Sequence, residues 1–575
     1  MNSTTGPIAA KRWLSRFVLL GLLVLTFWAR TYNRAEIFHE DGRIYFVDGD
    51  CYSRMERAKM VCEGQWVIRH HDFENWPQGI TPHTTAPMDW AIVAVKGCCD
   101  ATLAVADRQG TSTLRGQTLD LAGALISPIL AVLTAAWLWW WAGWMRLPFR
   151  GVMVFFFAVS PIAVFGTILG RPDHQSLLMF LIPIAVGAEL ALTDFRMSAR
   201  LARRWALVAG LAWGLAMWVS LYEPAVFFGG AVAWHLLANR AALTSQPARR
   251  RWLGLGGVLL LAVLVDGFRL SPPDATLRQY FIPWSSTIGE LKHLDLREGL
   301  VWKWLGLFWI TAPAFLWLAG RTDPRARGIL PLFGAMLALT IWQLRWGYFV
   351  ALAVTMSLPW QLAALRQKWL GFLVATLGMI PLLWGWSDSL KPDEQKREQM
   401  IQDHAVIEEY RHIADLMRGS ERRPFLAPWW FSPQIAYWSG QPGVAGTSHQ
   451  SLPGIVDEAR FLLAKDPAEA AATLRDRGVR WVIIDDIPIA DTHPTQYPPV
   501  TNASRILSVK LPWEPMGWKL AENGREAPPY LKYITPEDRG MVLTLKRKQE
   551  ETPEHPIQFY LPQMLKLYEV LPDKL

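Results

Sequence analysis

The sequence predicts an α-helical polytopic membrane protein with about eleven transmembrane helices and a C-terminal soluble domain of mixed α/β structure. Hydrophobic residues make up 51% of the 575 residues, and the mean hydropathy is +0.13. The apolar stretches are too long and too numerous for the core of a soluble protein. Many of the 32 Trp residues stand at the ends of these stretches, as in the aromatic belts of membrane proteins.

The first apolar stretch follows Lys11, Arg12 and Arg16, and no small-residue cleavage site comes after it. We therefore interpret it as a retained helix rather than a cleaved signal peptide. Ten further apolar windows follow it along the chain. The predicted spans are residues 14–30, 121–143, 151–169, 175–193, 205–221, 224–239, 253–268, 301–319, 329–343, 347–364 and 370–387.

The loops between these spans alternate in charge. Arginine clusters near residues 146–150, 196–204, 240–251, 321–327 and 366–368, all in loops on the same predicted side as the basic N-terminus. The positive-inside rule makes this side cytoplasmic and the other loops extracytoplasmic. Because topology accounts for the net charge of +8, we expect membrane lipids as neighbours and no nucleic-acid partner.

Four regions follow from this topology. They are a cytoplasmic N-terminus with the first span (1–30), a large extracytoplasmic first loop (31–118), a helical bundle with an outer loop at 269–300 (119–387), and an extracytoplasmic soluble domain (388–575). In the first loop, residues 50–67 form an amphipathic stretch that should lie on the membrane surface. The soluble domain should contain helices at 392–418 and 468–478 and a buried strand at 479–486.

All four cysteines fall in the first outer loop: Cys51, Cys62, Cys98 and Cys99. An even number of cysteines in an oxidising compartment permits a disulfide, and reduced apolar cysteines are an equal alternative. His70, His71 and His83 in the same loop either hold turns or line a sugar site.

Three carboxylates lie on the predicted outer face. Asp50 stands in GDCY, Asp173 in RPDHQ, and Glu290 closes TIGE. Carboxylates on one membrane face can hold a divalent cation between helices, and their hard oxygens suit Mg²⁺ or Mn²⁺. His174 and Gln175, directly after Asp173, are further candidate metal ligands. The alternative interpretation is that all three acids are solvated loop residues.

Arg345, in WQLRWGY, stands at the outer end of a predicted span. A guanidinium group binds phosphate in a bidentate manner, so beside a metal it suits a lipid phosphate or pyrophosphate. The alternative role is an interfacial anchor. Glu223, in SLYEP, also lies on the outer face, where a donor-sugar contact and a structural polar cap remain equally open.

Taken in their order along the chain, these motifs resemble those of the catalytic subunit of oligosaccharyltransferase, a GT-C-type membrane glycosyltransferase. Asp50 resembles the family's first-loop metal ligand, and Asp173 falls where the family has its second acidic motif. Residues 286–290 match the mobile-loop motif TIxE, and Arg345 fits the arginine that holds the donor pyrophosphate. Trp429 and Trp430 resemble the start of the WWD motif. The similarity extends from about residue 40 to 455.

The resemblance implies an inverting, metal-dependent glycosyltransferase in the cell membrane of a bacterium or archaeon. It would move a sugar or oligosaccharide from a polyprenyl-(di)phosphate carrier to a protein, lipid or glycan acceptor on the extracytoplasmic, periplasmic face. The implied catalytic residues are Asp50, Asp173 and Glu290, with His174 and Gln175 as additional metal ligands, Arg345 on the donor phosphate, and Glu290, Trp429 and Trp430 on the acceptor.

The chain departs from the family pattern in three ways. The second acidic motif lacks a second Asp, because His174 and Gln175 follow Asp173. Phe431 replaces the WWD aspartate and cannot accept a hydrogen bond from an acceptor Ser or Thr. Eleven spans are predicted where the family typically has thirteen.

These departures keep two alternatives in view. One is a GT-C transferase that uses a polyprenyl-monophosphate sugar with a lipid or polysaccharide acceptor. The other is a transporter of lipid-linked glycans. A transporter site is expected near the midplane of the membrane, whereas the acidic residues here lie at helix ends, which favours an enzyme.

Overall fold

The structure is a computed structural model that describes residues 6–107, 113–193, 197–238, 240–269, 274–419, 421–485, 494–511, 514–522, 527–534, 541–545, 557–561 and 565–575. The first part of the chain is almost wholly helical. Its helices are α1 (Gly6–Arg30), α2 (Arg34–Ile37), α3 (Gly49–Cys62), α4 (Ala86–Ala106), α5 (Thr118–Trp144), α6 (Arg150–Val159), α7 (Pro161–Phe165), α8 (His174–Leu192), α9 (Ala199–Val219), α10 (Tyr222–Ala238), α11 (Ala241–Thr244), α12 (Gln246–Asp266), α13 (Ala275–Ser285), α14 (Leu300–Leu305), α15 (Phe308–Gly320), α16 (Pro324–Trp342), α17 (Gly347–Ala363) and α18 (Lys368–Leu390).

Within the described residues, four helical segments are long and apolar enough to cross a membrane by themselves. They are Trp13–Arg30, Leu114–Trp144, His174–Leu192 and Lys368–Leu390, and two shorter apolar helices are Arg150–Val159 and Phe308–Gly320. In α1, 17% of the apolar window is buried, whereas in α8 the share is 83%. Helix α1 therefore presents its side chains outward, and α8 lies at the centre of the bundle.

Two predicted spans differ from single continuous helices. The 151–169 window is divided between α6 and α7, because Pro161 follows Ser160 and starts a new helix. Arg30 donates hydrogen bonds to the carbonyls of Phe157 (2.8 Å) and Ala158 (2.5 Å) at the end of α6. These contacts satisfy carbonyls that the break would otherwise leave without a donor.

The second break, between α14 and α15 in the 301–319 window, is at Gly306. Its φ is +61°, and a Cβ atom there would lie 2.0 Å from the carbonyl oxygen of Gly378 in α18. Only glycine combines this backbone conformation with so close a contact.

Small residues let the helices of the bundle approach closely. Between α9 and α12, a Cβ atom at Gly210 would lie 2.1 Å from the carbonyl oxygen of Arg251, and one at Gly214 would lie 2.6 Å from Cβ of Val258. Helix association in membranes depends on such close backbone packing. Helix α17, beside α15 and α16, is buried along nearly its whole length.

The first outer loop is itself helical. Helix α3 matches the amphipathic stretch predicted near residues 50–67, whereas α4 is an apolar helix that the sequence analysis did not single out. A buried ion pair joins the two helices, with 2.7 Å between Nη1 of Arg54 and Oδ1 of Asp89. Arg54 also donates to Thr84 at 2.6 Å. This network holds α3 against the segment that leads into α4.

The C-terminal part contains a mixed sheet surrounded by helices. The helices are α19 (Glu394–Met417), α20 (Ser432–Ser439), α21 (Leu452–Leu463), α22 (Pro467–Asp476), α23 (Pro498–Leu507) and α24 (Met516–Glu522). The strands are β1 (Phe425–Leu426), β2 (Trp481–Asp485), β3 (Leu531–Tyr533), β4 (Met541–Leu545), β5 (Ile557–Leu561) and β6 (Leu565–Val570).

The strand order of the larger sheet is β1-β2-β6-β3. Strand β1 pairs parallel with β2, and the pairs β2–β6 and β3–β6 are antiparallel. Strands β4 and β5 form a separate antiparallel pair. Val482 and Ile484 of β2 are fully buried. The buried strand, the charged helix α19 and helix α22 all agree with the mixed α/β structure expected from the sequence.

Candidate active site

A cavity of about 1820 Å³ lies where the bundle, the first outer loop and the C-terminal part meet. Small-molecule pockets usually measure about 300–1,000 Å³, so this cavity has room for a large ligand. All eight site residues expected from the sequence line it: Asp50, Asp173, His174, Gln175, Glu290, Arg345, Trp429 and Trp430. The structure thus brings together side chains from five separate segments of the chain.

Asp50 lies in the first turn of α3, directly against the C-terminal part. A Cβ atom at Gly49 would lie 2.8 Å from the carbonyl oxygen of Trp430 and 2.8 Å from Cγ2 of Thr447, so only glycine fits there without a shift. Thr447 donates a hydrogen bond to Oδ1 of Asp50. The close approach at Gly49 and this hydrogen bond fix the carboxylate at the wall of the cavity.

A backbone hydrogen bond ties the Asp50 segment to the Asp173 loop. The amide of Val47 donates to the carbonyl of Gly170 at 3.0 Å, and Gly170 has a φ of +76°. Two side chains add a second link, with 3.4 Å between Nη1 of Arg171 and Oδ2 of Asp48. These contacts bring two acidic motifs, more than a hundred residues apart in the chain, to one end of the cavity.

Asp173 and His174 form a tight pair at the start of α8. Nδ1 of His174 lies 2.5 Å from Oδ1 of Asp173, so only Nε2 of this imidazole is free for another ligand. The next residue, Gln175, is buried, and its Oε1 atom has no hydrogen-bond partner within the described structure. A buried carbonyl oxygen without a donor is costly, and a cation or a ligand N–H or O–H would satisfy it.

Glu290 lies in a short 3₁₀ turn (Gly289–Leu291) after α13. The following residues pair with the segment that precedes Arg345. The amide of Leu344 donates to the carbonyl of Lys292 at 3.0 Å, and that of Leu294 donates to the carbonyl of Ile341 at 3.0 Å. The loop with Glu290 is therefore docked beside the segment with Arg345.

Arg345 itself is held by a buried acid from α10. Its Nη2 atom lies 2.9 Å from Oε1 of Glu223. The Arg345 side chain keeps 22% of its surface exposed, whereas the Glu223 side chain keeps 2%. Glu223 thus contacts the arginine from behind, and the exposed part of the guanidinium belongs to the cavity wall.

The two aspartates differ in their electrostatic surroundings. Asp50 is open to the cavity but enclosed by protein, and this desolvation, followed by the negative charges of Asp48 and Asp173, raises its pKa to about 8 against the hydrogen bond from Thr447. Burial also acts to raise the pKa of Asp173, but His174, Arg171 and Arg54 outweigh it and hold that pKa well below its usual value. Asp50 therefore lacks a compensating positive charge.

The donor set fits a divalent cation. Carboxylate and amide oxygens are hard ligands suited to Mg²⁺ or Mn²⁺, and the uncompensated charge at Asp50 and the unpartnered Oε1 of Gln175 are both open to a cation. Within the described residues, no group of three or more His, Cys, Asp and Glu side chains has the spacing of a complete metal site. The residues therefore suit a divalent cation by the chemistry of their donor atoms, and their side chains are not already arranged as a complete coordination shell.

Aromatic side chains form another part of the cavity wall. The rings of Trp429 and Trp284 of α13 lie 5.9 Å apart, and both residues line the cavity. Phe431 is different. It is 1% exposed and stacks on Tyr410 of α19, with 4.4 Å between the ring centroids. The residue that replaces the motif aspartate is thus part of the core and offers nothing polar to a ligand.

Several residues of the cavity are not among those predicted from the sequence. Asp48 stands two positions before Asp50 and could have been found from that spacing alone. Thr447 and His449 carry no local signal, because they meet the first outer loop only in the folded chain. Of the three outer-loop histidines, His83 lines the cavity, 4.7 Å from His449 between ring centroids. His71 is buried and stacks on Phe73 instead.

No family model matches the chain. Among characterised proteins, it is 23% identical over 577 residues to dolichyl-phosphooligosaccharide-protein glycotransferase 1 of Archaeoglobus fulgidus, a match that covers 84% of this chain and 90% of the relative. Two solved structures of an oligosaccharyltransferase from the same organism share its fold. The complex with zinc and sulfate has a TM-score of 0.62 at 14% identity, over 96% of this chain and 88% of that one. The complex with an inhibitory peptide and dolichol-phosphate has a TM-score of 0.58 at 16% identity, and the match covers 83% of this chain and 70% of that structure's chain.

The apolar helices and the match in fold indicate a multi-pass membrane protein that shares the fold of the archaeal oligosaccharyltransferase. Its sequence shows a distant homology to that of the archaeal enzyme over most of its length. The resemblance stated from the motifs is therefore confirmed by comparisons over most of the chain.

Proposed function

We propose that this protein is a metal-dependent, inverting glycosyltransferase that takes a sugar or oligosaccharide from a polyprenyl-(di)phosphate carrier on the extracytoplasmic face of the membrane. The observation that carries the proposal is the large cavity that Asp50, Asp173, Glu290 and Arg345 line together. The homologous structure that contains dolichol-phosphate and a peptide supports a lipid-linked donor and a separate acceptor.

In this proposal Arg345 binds the phosphate of the donor. Its guanidinium offers N–H groups in a planar fork that matches phosphate oxygens. Negative charge grows on the leaving phosphate as the bond to the sugar breaks. A fixed positive group beside that oxygen stabilises the transition state more than the ground state, which is the condition for catalysis.

Asp50, Asp173 and Glu290, with Gln175 and Nε2 of His174 as further donors, would hold the divalent cation. When bound, Mg²⁺ or Mn²⁺ supplies a Lewis acid that stabilises charge on the leaving phosphate. Asp173 is suited to a permanent ligand, because His174 and Arg171 keep it ionised. The homologous structure with zinc supports a divalent cation in this fold without indicating which metal this chain prefers.

The acceptor is proposed to enter along the aromatic wall of Trp429 and Trp430. Its nucleophile attacks the anomeric carbon on the face opposite the leaving phosphate, so the configuration inverts. The nucleophile loses its proton to a carboxylate, for which Asp50 and Glu290 are the candidates. Both carboxylates line the cavity, beside the space where the acceptor and the donor would meet.

A second candidate function has one specific observation in its favour. Phe431 is buried against Tyr410 and offers no acceptor for a hydroxyl group. This favours a lipid or polysaccharide acceptor, with a monophosphate-linked sugar as donor, over a hydroxyl-reading protein site. Mass spectrometry of secreted proteins from a strain that lacks the gene distinguishes the two functions. Glycosylated Asn residues disappear from that strain only if this protein transfers glycans to proteins.

The direct test replaces Asp50, Asp173 and Glu290 singly with Ala and measures transfer from a lipid-linked sugar by the purified protein. Each variant should lose at least a hundredfold in rate, because each loses a ligand or a base at the reacting centre. Glu63→Ala, at the exposed end of α3, is the matched control and should retain full activity. Unchanged activity in all three variants would overturn the proposed function.

A further inference from the structure

The buried ion pair between Arg345 and Glu223 has a geometry that the proposed reaction does not explain by itself. Glu223 lies in the first turn of α10, and its side chain is 2% exposed. Both carboxylate oxygens have a partner. Oε1 accepts from Nη2 of Arg345 at 2.9 Å, and Oε2 accepts from Oγ of Ser220 at 2.6 Å. Both oxygens of the carboxylate thus have protein partners, and the side chain is almost fully enclosed.

Arg345 is in the opposite situation. Its contact with Glu223 engages one nitrogen, and the structure gives its other guanidinium nitrogens no hydrogen bond to the described residues. Its side chain is 22% exposed, and the residue lines the cavity. A guanidinium with one nitrogen held from behind therefore keeps donors for a planar anion in the cavity.

The surroundings of the pair also limit its movement. The ring of Tyr222 lies 5.5 Å from that of the fully buried Trp346, so the residues next to Glu223 and Arg345 pack together as well. On the other side, Leu344 is held by its hydrogen bond to Lys292. A long arginine side chain loses less conformational entropy on binding when its orientation is already fixed.

We infer that Glu223 is the positioning residue of the donor clamp: it orients Arg345, with support from Ser220, so that the free edge of the guanidinium meets the carrier phosphate. This inference rests on the proposed function, in which Arg345 binds that phosphate. Glu223 also lines the cavity, but its side chain is only 2% exposed and both of its oxygens have protein partners, so we place it behind Arg345 rather than on the donor. Its contribution passes through Arg345 alone.

The alternative is that Glu223 only stabilises the N-terminus of α10, where an acidic residue interacts favourably with the helix dipole. The two roles differ in one measurable way. A residue that acts through Arg345 loses its effect on donor binding once Arg345 is removed, whereas a helix-stabilising residue changes donor binding by the same factor with or without Arg345.

A double-mutant cycle makes this distinction. The full-length protein in lipid nanodiscs is titrated with a fluorescently labelled polyprenyl phosphate, for the wild type, Glu223→Ala, Arg345→Ala and the double variant. We expect Arg345→Ala and Glu223→Ala each to weaken binding about tenfold, and the double variant to bind no more weakly than Arg345→Ala. Glu223→Gln, which keeps one acceptor oxygen for Arg345 but loses the charge, should weaken binding only about threefold.

The control is Glu189→Gln, which alters another buried acid paired with an arginine, 2.9 Å from Arg251 in the same bundle. It should leave probe binding unchanged. If Glu223→Ala has no effect, or weakens binding by the same factor with and without Arg345, the positioning role is overturned and the donor clamp stands. If Arg345→Ala itself binds the probe normally, the donor clamp proposed for this site fails, and the positioning role fails with it. The thermal unfolding midpoint identifies any variant that is misfolded, and Glu223→Gln then replaces Glu223→Ala in the cycle.

Discussion

Gly49 determines how closely the first outer loop approaches the C-terminal part of the chain, and so where Asp50 lies. Replacing it with Ala would place a methyl group 2.8 Å from the carbonyl oxygen of Trp430. Overpacking of this kind typically costs about 1–3 kcal/mol. Because Asp50 would shift away from Thr447 and Asp173, we expect Gly49→Ala to lower the transfer rate at least tenfold, with a moderate fall in the thermal unfolding midpoint.

A matched control is available in the same loop. Gly97 lies within α4, where an added Cβ atom would meet nothing within 4 Å. Gly97→Ala should keep both activity and stability, and alanine is the better helix former. Equal activity in Gly49→Ala and Gly97→Ala would contradict the role given to the close contact at Gly49.

At the scale of single residues, local sequence was a good guide to which side chains face the cavity and a poor guide to their partners. Asp50, Asp173, Glu290 and Arg345 stood in recognisable local settings at the ends of apolar windows. Thr447 is the counter-example, because 397 residues separate it from Asp50. Contacts over such distances depend on how the elements pack, and no local pattern encodes them.

At the scale of elements, α3 contains a largely enclosed acid outside the candidate site. The side chain of Glu56 is 13% exposed, and burial raises its pKa to about 7, against the opposing charge of Lys59 at 3.4 Å. The folded protein thus holds this proton more tightly than the unfolded chain. The resulting stability is complete below about pH 4, the ordinary range of Glu, and is lost as the pH rises through 7.

Glu56→Gln should therefore stabilise the protein above neutral pH. A shift of about two and a half pKa units corresponds to roughly 3 kcal/mol at most. We expect the thermal unfolding midpoint of Glu56→Gln to exceed that of the wild type at pH 8.5 and to match it at pH 5. Glu63→Gln, at the exposed end of the same helix, should follow the wild type at both pH values. A midpoint for Glu56→Gln below that of the wild type at pH 8.5 would show that the ionised Glu56–Lys59 pair stabilises α3 instead.

The elements also show where patterns of hydropathy reach their limit. Each apolar window is mainly helical in the described residues, because helices satisfy their backbone groups internally. Hydropathy did not reveal the breaks at Pro161 and Gly306, although proline and glycine are the residues that permit them. Helix α4 was overlooked for a different reason. It has apolar composition but contains Asp89, Lys96 and Asp100, so it does not stand out as a span.

At the scale of the whole molecule, the cavity depends on three parts of the chain at once. The bundle supplies Asp173 and Arg345, the first outer loop supplies Asp50, and the C-terminal part supplies Thr447 and Trp429. The charge pattern of the loops predicts that these parts share one membrane face, and this sidedness stays a prediction. The size of the cavity could not be predicted, because it is the space left after all three parts have packed.

The most direct test of the central claim is the release of labelled sugar from a polyprenyl-linked donor by the purified protein, with Mn²⁺ present or removed by a chelator. We predict acceptor-dependent transfer that falls at least a hundredfold on chelation, returns when Mn²⁺ is restored, and is absent in Asp50→Ala at every Mn²⁺ concentration. Transfer that persists after chelation, and that Asp50→Ala performs as well as the wild type, would contradict the account.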